Sequence, residues 1–196
     1  MHVVTHLLAG WAVAEHTVKT PRARALVAWA SVVPDLDGVG LIIDWIGGAF
    51  GQSWGYYEQF HRLALHGLPG AILCTALFAW FSQEKRMTAL WVFVSYHLHF
   101  IGDVLGSRGS GTTDFWPLHY LMPLSDALTI HWSGQWPLTS WQNTTITVLL
   151  MAYGMALAIR RGRSPVGLFS IKADESFVTI LRARWHAFSR NRDASR

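Results

Sequence analysis

Apolar residues run along the chain in stretches of helical period, parted by short polar, glycine- or proline-bearing connections. The first stretch is Val3 to His16, closed by the basic connection Lys19 to Arg24 with Pro21 inside it. Ala25 to Val33 rises again and is cut by Pro34, after which Asp35-Leu36-Asp37-Gly38 reads as a turn or irregular loop. Val39 to Ile46 is apolar around Asp44, and Gly47 to Tyr57 is rich in glycine and aromatic residues. Leu63 to Phe81 and Thr88 to Leu105 follow, parted by Glu84-Lys85-Arg86. His66 interrupts the former near its start, and His97, His99 and Asp103 occupy the last turns of the latter. Gly106 to Asn143 is a long Gly-, Trp- and Pro-rich segment, and Thr144 to Ile159 is a clean apolar helix stopped by Arg160-Arg161-Gly162-Arg163.

Two of these runs approach the roughly 20 residues that span a bilayer. The pattern predicts an all-α integral membrane bundle of four to five helices, with the long Trp/Gly-rich loop on one side. Residues 1–163 form the expected membrane-embedded domain, and residues 164–196 a basic tail. Within that tail, Phe177, Ile180, Leu181, Trp185 and Phe188 share a side with Arg182 and Arg184 nearby, the pattern of an interfacial helix on anionic lipid. No cleavable signal peptide is expected, because Met1 to Thr5 lacks Lys and Arg and His6 breaks the apolar run.

Composition strengthens the membrane reading. Of the 196 residues, 51% are hydrophobic and only 14% charged, where an average soluble domain carries about 25% charge. A chain this apolar is not disordered. Its single thiol, Cys74, lies in an apolar run and excludes a disulfide framework or a thiolate zinc site. Any metal must be held by His and carboxylates.

The net charge of +4 changes meaning when divided along the chain. Residues 1–159 hold seven Lys/Arg against nine Asp/Glu, and residues 160–196 hold nine against three. The body carries no basic stripe with interleaved aromatics, so nucleic acid is not an expected partner. If consecutive helices alternate direction, 14 of the 16 Lys/Arg fall on one face. The other face keeps only Arg62 and Arg108, and gathers Asp35, Asp37, Asp44, Glu58, Asp103, Asp114 and Asp126 with eight of the ten His. The positive-inside rule makes the basic face and the C-terminus cytoplasmic and puts the His/Asp collection near the opposite interface of a multi-pass membrane protein.

Candidate chemistry lies in that collection. His2 and His6 share a helical face, and His6 is a turn inside the apolar stretch, where an imidazole needs a partner. Asp35 and Asp37 would point the same way in an extended loop, a pair of hard oxygens suited to a cation, although Pro-Asp and Asp-Gly are also ordinary turn chemistry. His61-Arg62 precedes His66; Arg62 suits either an acidic neighbour or an anionic substrate group such as a phosphate. His99 and Asp103, four apart on one helix, form a chelating or relay pair, with His97 turned away. His16, His131 and His186 read as structural or solvated, and Trp116, Trp132, Trp136 and Trp141 as an aromatic belt and loop packing.

Thr5-His6 with Gly10, Pro34-Asp35-Leu36-Asp37, His61-Arg62-x3-His66, His97-x-His99-x3-Asp103, and Gly111 leading to Trp116-Pro117 together resemble the YdjM-like bacterial inner-membrane metal-dependent hydrolases, from residue 1 to about residue 140. The all-helical His/Asp pattern is also similar to zinc-dependent phospholipase C. The resemblance implies a helical membrane hydrolase with His6, Asp35, Asp37, His61, His66, His99 and Asp103 as metal ligands. It departs from the pattern at Gly67, where a small hydroxyl residue often stands.

An all-N/O ligand set suits zinc, manganese or iron and does not choose among them; zinc is the first expectation, and more than four ligands points to two ions. The expected chemistry is hydrolysis by metal-activated water, with Asp35 or Asp37, whichever is not a ligand, as general base and Arg62 offsetting charge on the substrate. A membrane lipid or another amphipathic, phosphate-containing substrate fits a site near the interface. The competing class is a non-enzymatic membrane protein that binds or transports metal ions or protons; it calls for polar residues along whole helices, whereas these cluster at helix ends. Haem ligation by paired His is disfavoured by the excess of carboxylates.

Overall fold

The computed structural model describes residues 1–52, 54–57 and 65–194, with side chains to residue 190. Among these it is mainly helical: α1 (Val3–Thr17), α2 (Pro21–Ala30), a 3₁₀ segment (Val33–Val39), α3 (Gly40–Ala49), α4 (Leu68–Trp80), α5 (Lys85–Gly106), α6 (Trp141–Arg161) and α7 (Ile171–Ala194). The sheet is one antiparallel pair, β1 (Leu118–His119) with β2 (Thr129–Ile130). The chain divides into two compact units, Met1–Thr145 and Ile146–Arg196.

In the first unit α5 is the central element. Thr88, Val92, Ser95, His99, Asp103 and Gly106 recur at helical spacing along its buried face. This face packs against α1, α2 and α4. Small residues set the spacing, as is usual for helices in lipid. At the crossing of α1 and α2 a Cβ on Gly10 would stand 2.3 Å from Ser31 Oγ and 2.8 Å from the Ala28 carbonyl oxygen, so only glycine fits. Thr20 caps α2 by accepting from the Ala23 amide, with Pro21 in the first turn. Glu84 ties this corner to the α4–α5 connection by accepting from the backbone of Thr20 at 2.6 Å and Lys19 at 3.1 Å. Both bonds hold its carboxyl below the ordinary carboxylate range, the Thr20 amide contributing most.

Two helices, α5 and α6, are long and apolar enough to cross a membrane, and α2 with the 3₁₀ segment and α3 makes a third candidate span bent by 54°. Large apolar side chains such as Trp45, Phe50, Leu73, Trp80, Val148 and Leu149 are exposed along these helices and α4, as lipid-facing positions are.

The segment around Asp35, expected as a turn or irregular loop, is a 3₁₀ turn, with Pro34 accommodated in its first turn. Between α5 and α6 two buried amides organise the long loop. Gln135 donates to the Asp103 carbonyl at 2.7 Å and accepts from the Trp116 amide. Asn143 donates to the Gly106 and Leu138 carbonyls and accepts from Trp136 Nε1 at 2.9 Å. Trp136 therefore packs and bonds within the loop, while Trp132 and Trp141 are exposed.

Candidate metal centre

His99 and Asp103 stand one turn apart on the buried face of α5, so their side chains reach the same point by helix geometry alone. The 3₁₀ segment brings Asp35 to that point and the chain before α4 brings His66. Asp35, His66, His99 and Asp103 each offer an atom to a cluster whose members lie within 4.8 Å of one another. His99 Nε2 is 3.1 Å from Asp103 Oδ2, 3.2 Å from His66 Nε2 and 3.8 Å from Asp35 Oδ1; His66 Nε2 is 3.6 Å from Asp103 Oδ2.

The tautomers follow from the outer partners. Asp37 only accepts, so His66 donates from Nδ1 to its carboxylate, at 3.0 and 3.1 Å to the two oxygens. His99 donates from Nδ1 to the Ser31 carbonyl at 2.9 Å. Each ring therefore turns an Nε2 lone pair inward. Two such lone pairs 3.2 Å apart, facing two carboxylates in a buried site, repel unless a proton or a metal cation lies among them.

The dimensions fit one. A tetrahedral ion with bonds of about 2.0–2.1 Å separates its ligands by about 3.3–3.4 Å, against the 3.1–3.8 Å measured around His99 Nε2. Asp35 also keeps Oδ2 buried with no hydrogen-bond partner among the described residues.

His6 sits outside the ring of four. Its Nε2 donates to Asp103 Oδ1 at 3.1 Å, and its ring stacks on His99 with centroids 3.9 Å apart. Ser107 also donates to Asp103 Oδ1, at 2.8 Å, and the Met1 nitrogen meets the same oxygen. One oxygen of Asp103 is thus held by α1 and Ser107 while the other faces the cluster. Gly102 makes room, since a Cβ there would stand 2.8 Å from His6 Cε1.

Of the residues expected from the sequence, the structure gathers Asp35, His66, His99 and Asp103 at one point. It sets His6 and Asp37 against the far sides of Asp103 and His66. Asp35 and Asp37 reach different groups, His99 Nε2 and His66 Nδ1, where an extended loop would have aligned them, because residues two apart on a three-residue turn stand about 120° apart. His61, Arg62 and Glu58 lie outside the described residues. His97 bonds to the Phe93 carbonyl and to Tyr120 Oη on another face of α5.

Ser31, Ser107, Gly102 and Gln135 were not legible as site residues. Ser107, four residues after Asp103, had a spacing signal; Ser31 acts through its carbonyl, which no side-chain pattern shows. Gly67 also gains a reason: a Cβ there would be 2.6 Å from the Met122 carbonyl oxygen, so this fold leaves no room for a hydroxyl side chain.

The family model described as YdjM inner membrane protein matches residues 1–181. The chain belongs to the YdjM inner membrane protein family. The match extends through α6 into α7, past residue 140 where the motif resemblance ends. No curated protein matches the chain, and no solved structure does.

Proposed function

We propose that this YdjM-family protein is a membrane-bound, metal-dependent hydrolase of phosphoester or phospholipid-like substrates. The observation that carries the reading is the convergence of His66 Nε2, His99 Nε2, Asp103 Oδ2 and Asp35 Oδ1 with their other atoms already committed or, for Asp35, unpartnered. These residues would hold a divalent ion, zinc as first choice. The ion would supply Lewis-acid polarisation of the substrate and a water acidic enough to ionise near neutral pH.

The chain's own groups have separable tasks. Asp37 holds His66 in the tautomer that turns Nε2 inward, and the Ser31 carbonyl does the same for His99. His6 and Ser107 hold the Asp103 carboxylate in one orientation. Asp35 is the cluster member with measurable access, its side chain 22% exposed against 0–7% for the others. That access makes it our choice over Asp37 to take a proton from water, since both Asp37 oxygens already accept from His66. Arg62 is proposed to neutralise the substrate phosphate.

In this reading the protein is multi-pass, the cluster opens towards the periplasm and the C-terminus is cytoplasmic, in keeping with the segregation of 14 of 16 Lys/Arg to one face. A C-terminal green fluorescent protein fusion should fluoresce, and a dark fusion with an active periplasmic reporter would reverse the orientation.

The deciding experiment is metal analysis of detergent-purified protein, followed by a phosphodiester panel assayed with the metal found. Wild type should carry divalent metal and turn over a substrate, and His99→Ala and Asp103→Ala should lose both. Metal that is retained without turnover of any phosphoester would favour a binding or transport role; unchanged metal in both variants would remove the site assignment.

A further inference from the structure

The second unit contains a site unrelated to the His/Asp cluster. Gly162, at φ +75, lets the chain turn after α6. Two contacts then fix α7 against the end of α6: Arg182 Nε donates to the Ile159 carbonyl at 2.8 Å, and the Ser164 amide donates to Asp174 Oδ1 at 3.0 Å. Leu157, Ala158 and Val178 are buried within this unit. Farther along the pair, the helices leave a cleft of about 560 Å³ between Ala152, Met155, Ala156, Ile159 and Arg160 of α6 and Leu181 and Trp185 of α7.

The lining has the character of a lipid site. Ala152 and Ala156, one turn apart, form a low floor, and Met155, Ile159, Leu181 and Trp185 give apolar walls. Arg160 is the one charged residue in the lining, is exposed, and makes no hydrogen bond or ion pair among the described residues. It lies at the end of one of the two helices long and apolar enough to cross a membrane, where hydrocarbon gives way to headgroups. Around the cleft α7 exposes Phe177, Ile180, Trp185 and Phe188, and residues 160–196 carry nine Lys/Arg against three Asp/Glu. One of those acids, Asp174, is committed to Ser164.

We infer that the cleft between α6 and α7 binds one anionic phospholipid from the surrounding leaflet, its acyl chain along Ala152 and Ala156 and its phosphate at Arg160. The apolar depth selects an acyl chain, and the single uncommitted cation at the mouth selects an anionic headgroup. The surrounding aromatic and basic residues of α7 rest on the same leaflet. This lipid is a bound component of the protein and stands whether or not the His/Asp cluster is an enzyme.

The test is native mass spectrometry of the full-length protein in detergent, with phosphatidylglycerol or phosphatidylcholine of matched chains added in turn. Wild type should retain one phosphatidylglycerol per chain, with about fivefold preference over phosphatidylcholine, the worth of one interfacial cation. Arg160→Gln, an exposed change that leaves the packing alone, should abolish the preference. Ala156→Phe, which fills the cleft, should reduce retention of both lipids, and Lys85→Gln at the other basic connection should change neither. Equal retention of the two lipids by wild type, an unchanged preference in Arg160→Gln, or a protein dimer in place of bound lipid would overturn the inference.

Discussion

Replacing Asp37 with Ala separates an orienting role from a ligand role, because in the structure this carboxylate touches His66 on the nitrogen facing away from the cluster. The two side chains are 2% and 6% exposed, so truncation removes the carboxylate acceptor of the His66 Nδ1 hydrogen in a site closed to water. Losing that buried hydrogen bond costs about 1–3 kcal/mol of stability. It also frees the ring to turn, and loss of such an outer partner lowers metal affinity about 10–100-fold, equivalent to about 1.4–2.8 kcal/mol.

A competition titration of zinc against a chromogenic chelator, with protein in detergent, reads the loss directly. Asp37→Asn keeps an acceptor oxygen and should recover most of the affinity. Because Asp37 acts through His66, adding Asp37→Ala to His66→Ala should change the affinity by no more than about twofold, the usual error of additivity. A direct ligand, as the family resemblance implied for Asp37, would behave differently. Its removal would cost as much as Asp103→Ala and would still be felt in the His66→Ala background. Either that outcome or an unchanged affinity in Asp37→Ala would refute the orienting role.

Three further outcomes are expected. Gly102→Ala places a Cβ 2.8 Å from His6 Cε1, and should lower stability by about 1–3 kcal/mol, seen as a fall in melting temperature; Gly48→Ala, into open space, is the control and should not destabilise. Asn143→Ala removes a fully buried amide that serves Gly106, Leu138 and Trp136, and should cost about 2–4 kcal/mol by the same measurement, while the exposed Thr144→Ala does not. Glu84 has a folded pKa below its ordinary value because it accepts from the Thr20 and Lys19 amides. Its contribution is therefore complete above the unfolded carboxylate pKa of about 4.3 and is lost as pH falls through the lower folded value. The melting-temperature gap between wild type and Glu84→Gln should be widest near neutral pH and close under acid; a gap that widens on acidification contradicts the sign.

What was legible in the sequence follows from local geometry. Thr88 to Leu105 and Thr144 to Ile159 were readable as helices, which the structure extends to Lys85–Gly106 and Trp141–Arg161, because apolar residues repeat at their period and charged residues end them. His99 and Asp103 were readable as a pair because four residues on a helix bring side chains to one face whatever surrounds it. The proposed sorting of Lys and Arg to one face rests likewise on the order of the apolar runs, with alternating helices assumed.

The roles of His6, Asp35 and Asp37 were not readable in this way. An extended loop and a 3₁₀ turn both accommodate Pro34-Asp35-Leu36-Asp37, yet the first aligns the carboxylates and the second parts them. The close approaches at Gly10 and Gly102 decide which atoms of Ser31 and His6 come within bonding distance of His99 and Asp103. The sequence by itself determined a helical membrane protein and which chemical groups were candidates for its site. Only the tertiary structure decided which of those groups converge and which stand behind them, because helix spacing is local while the meeting of α1, the 3₁₀ turn and α5 depends on packing between residues as far apart as 6 and 103.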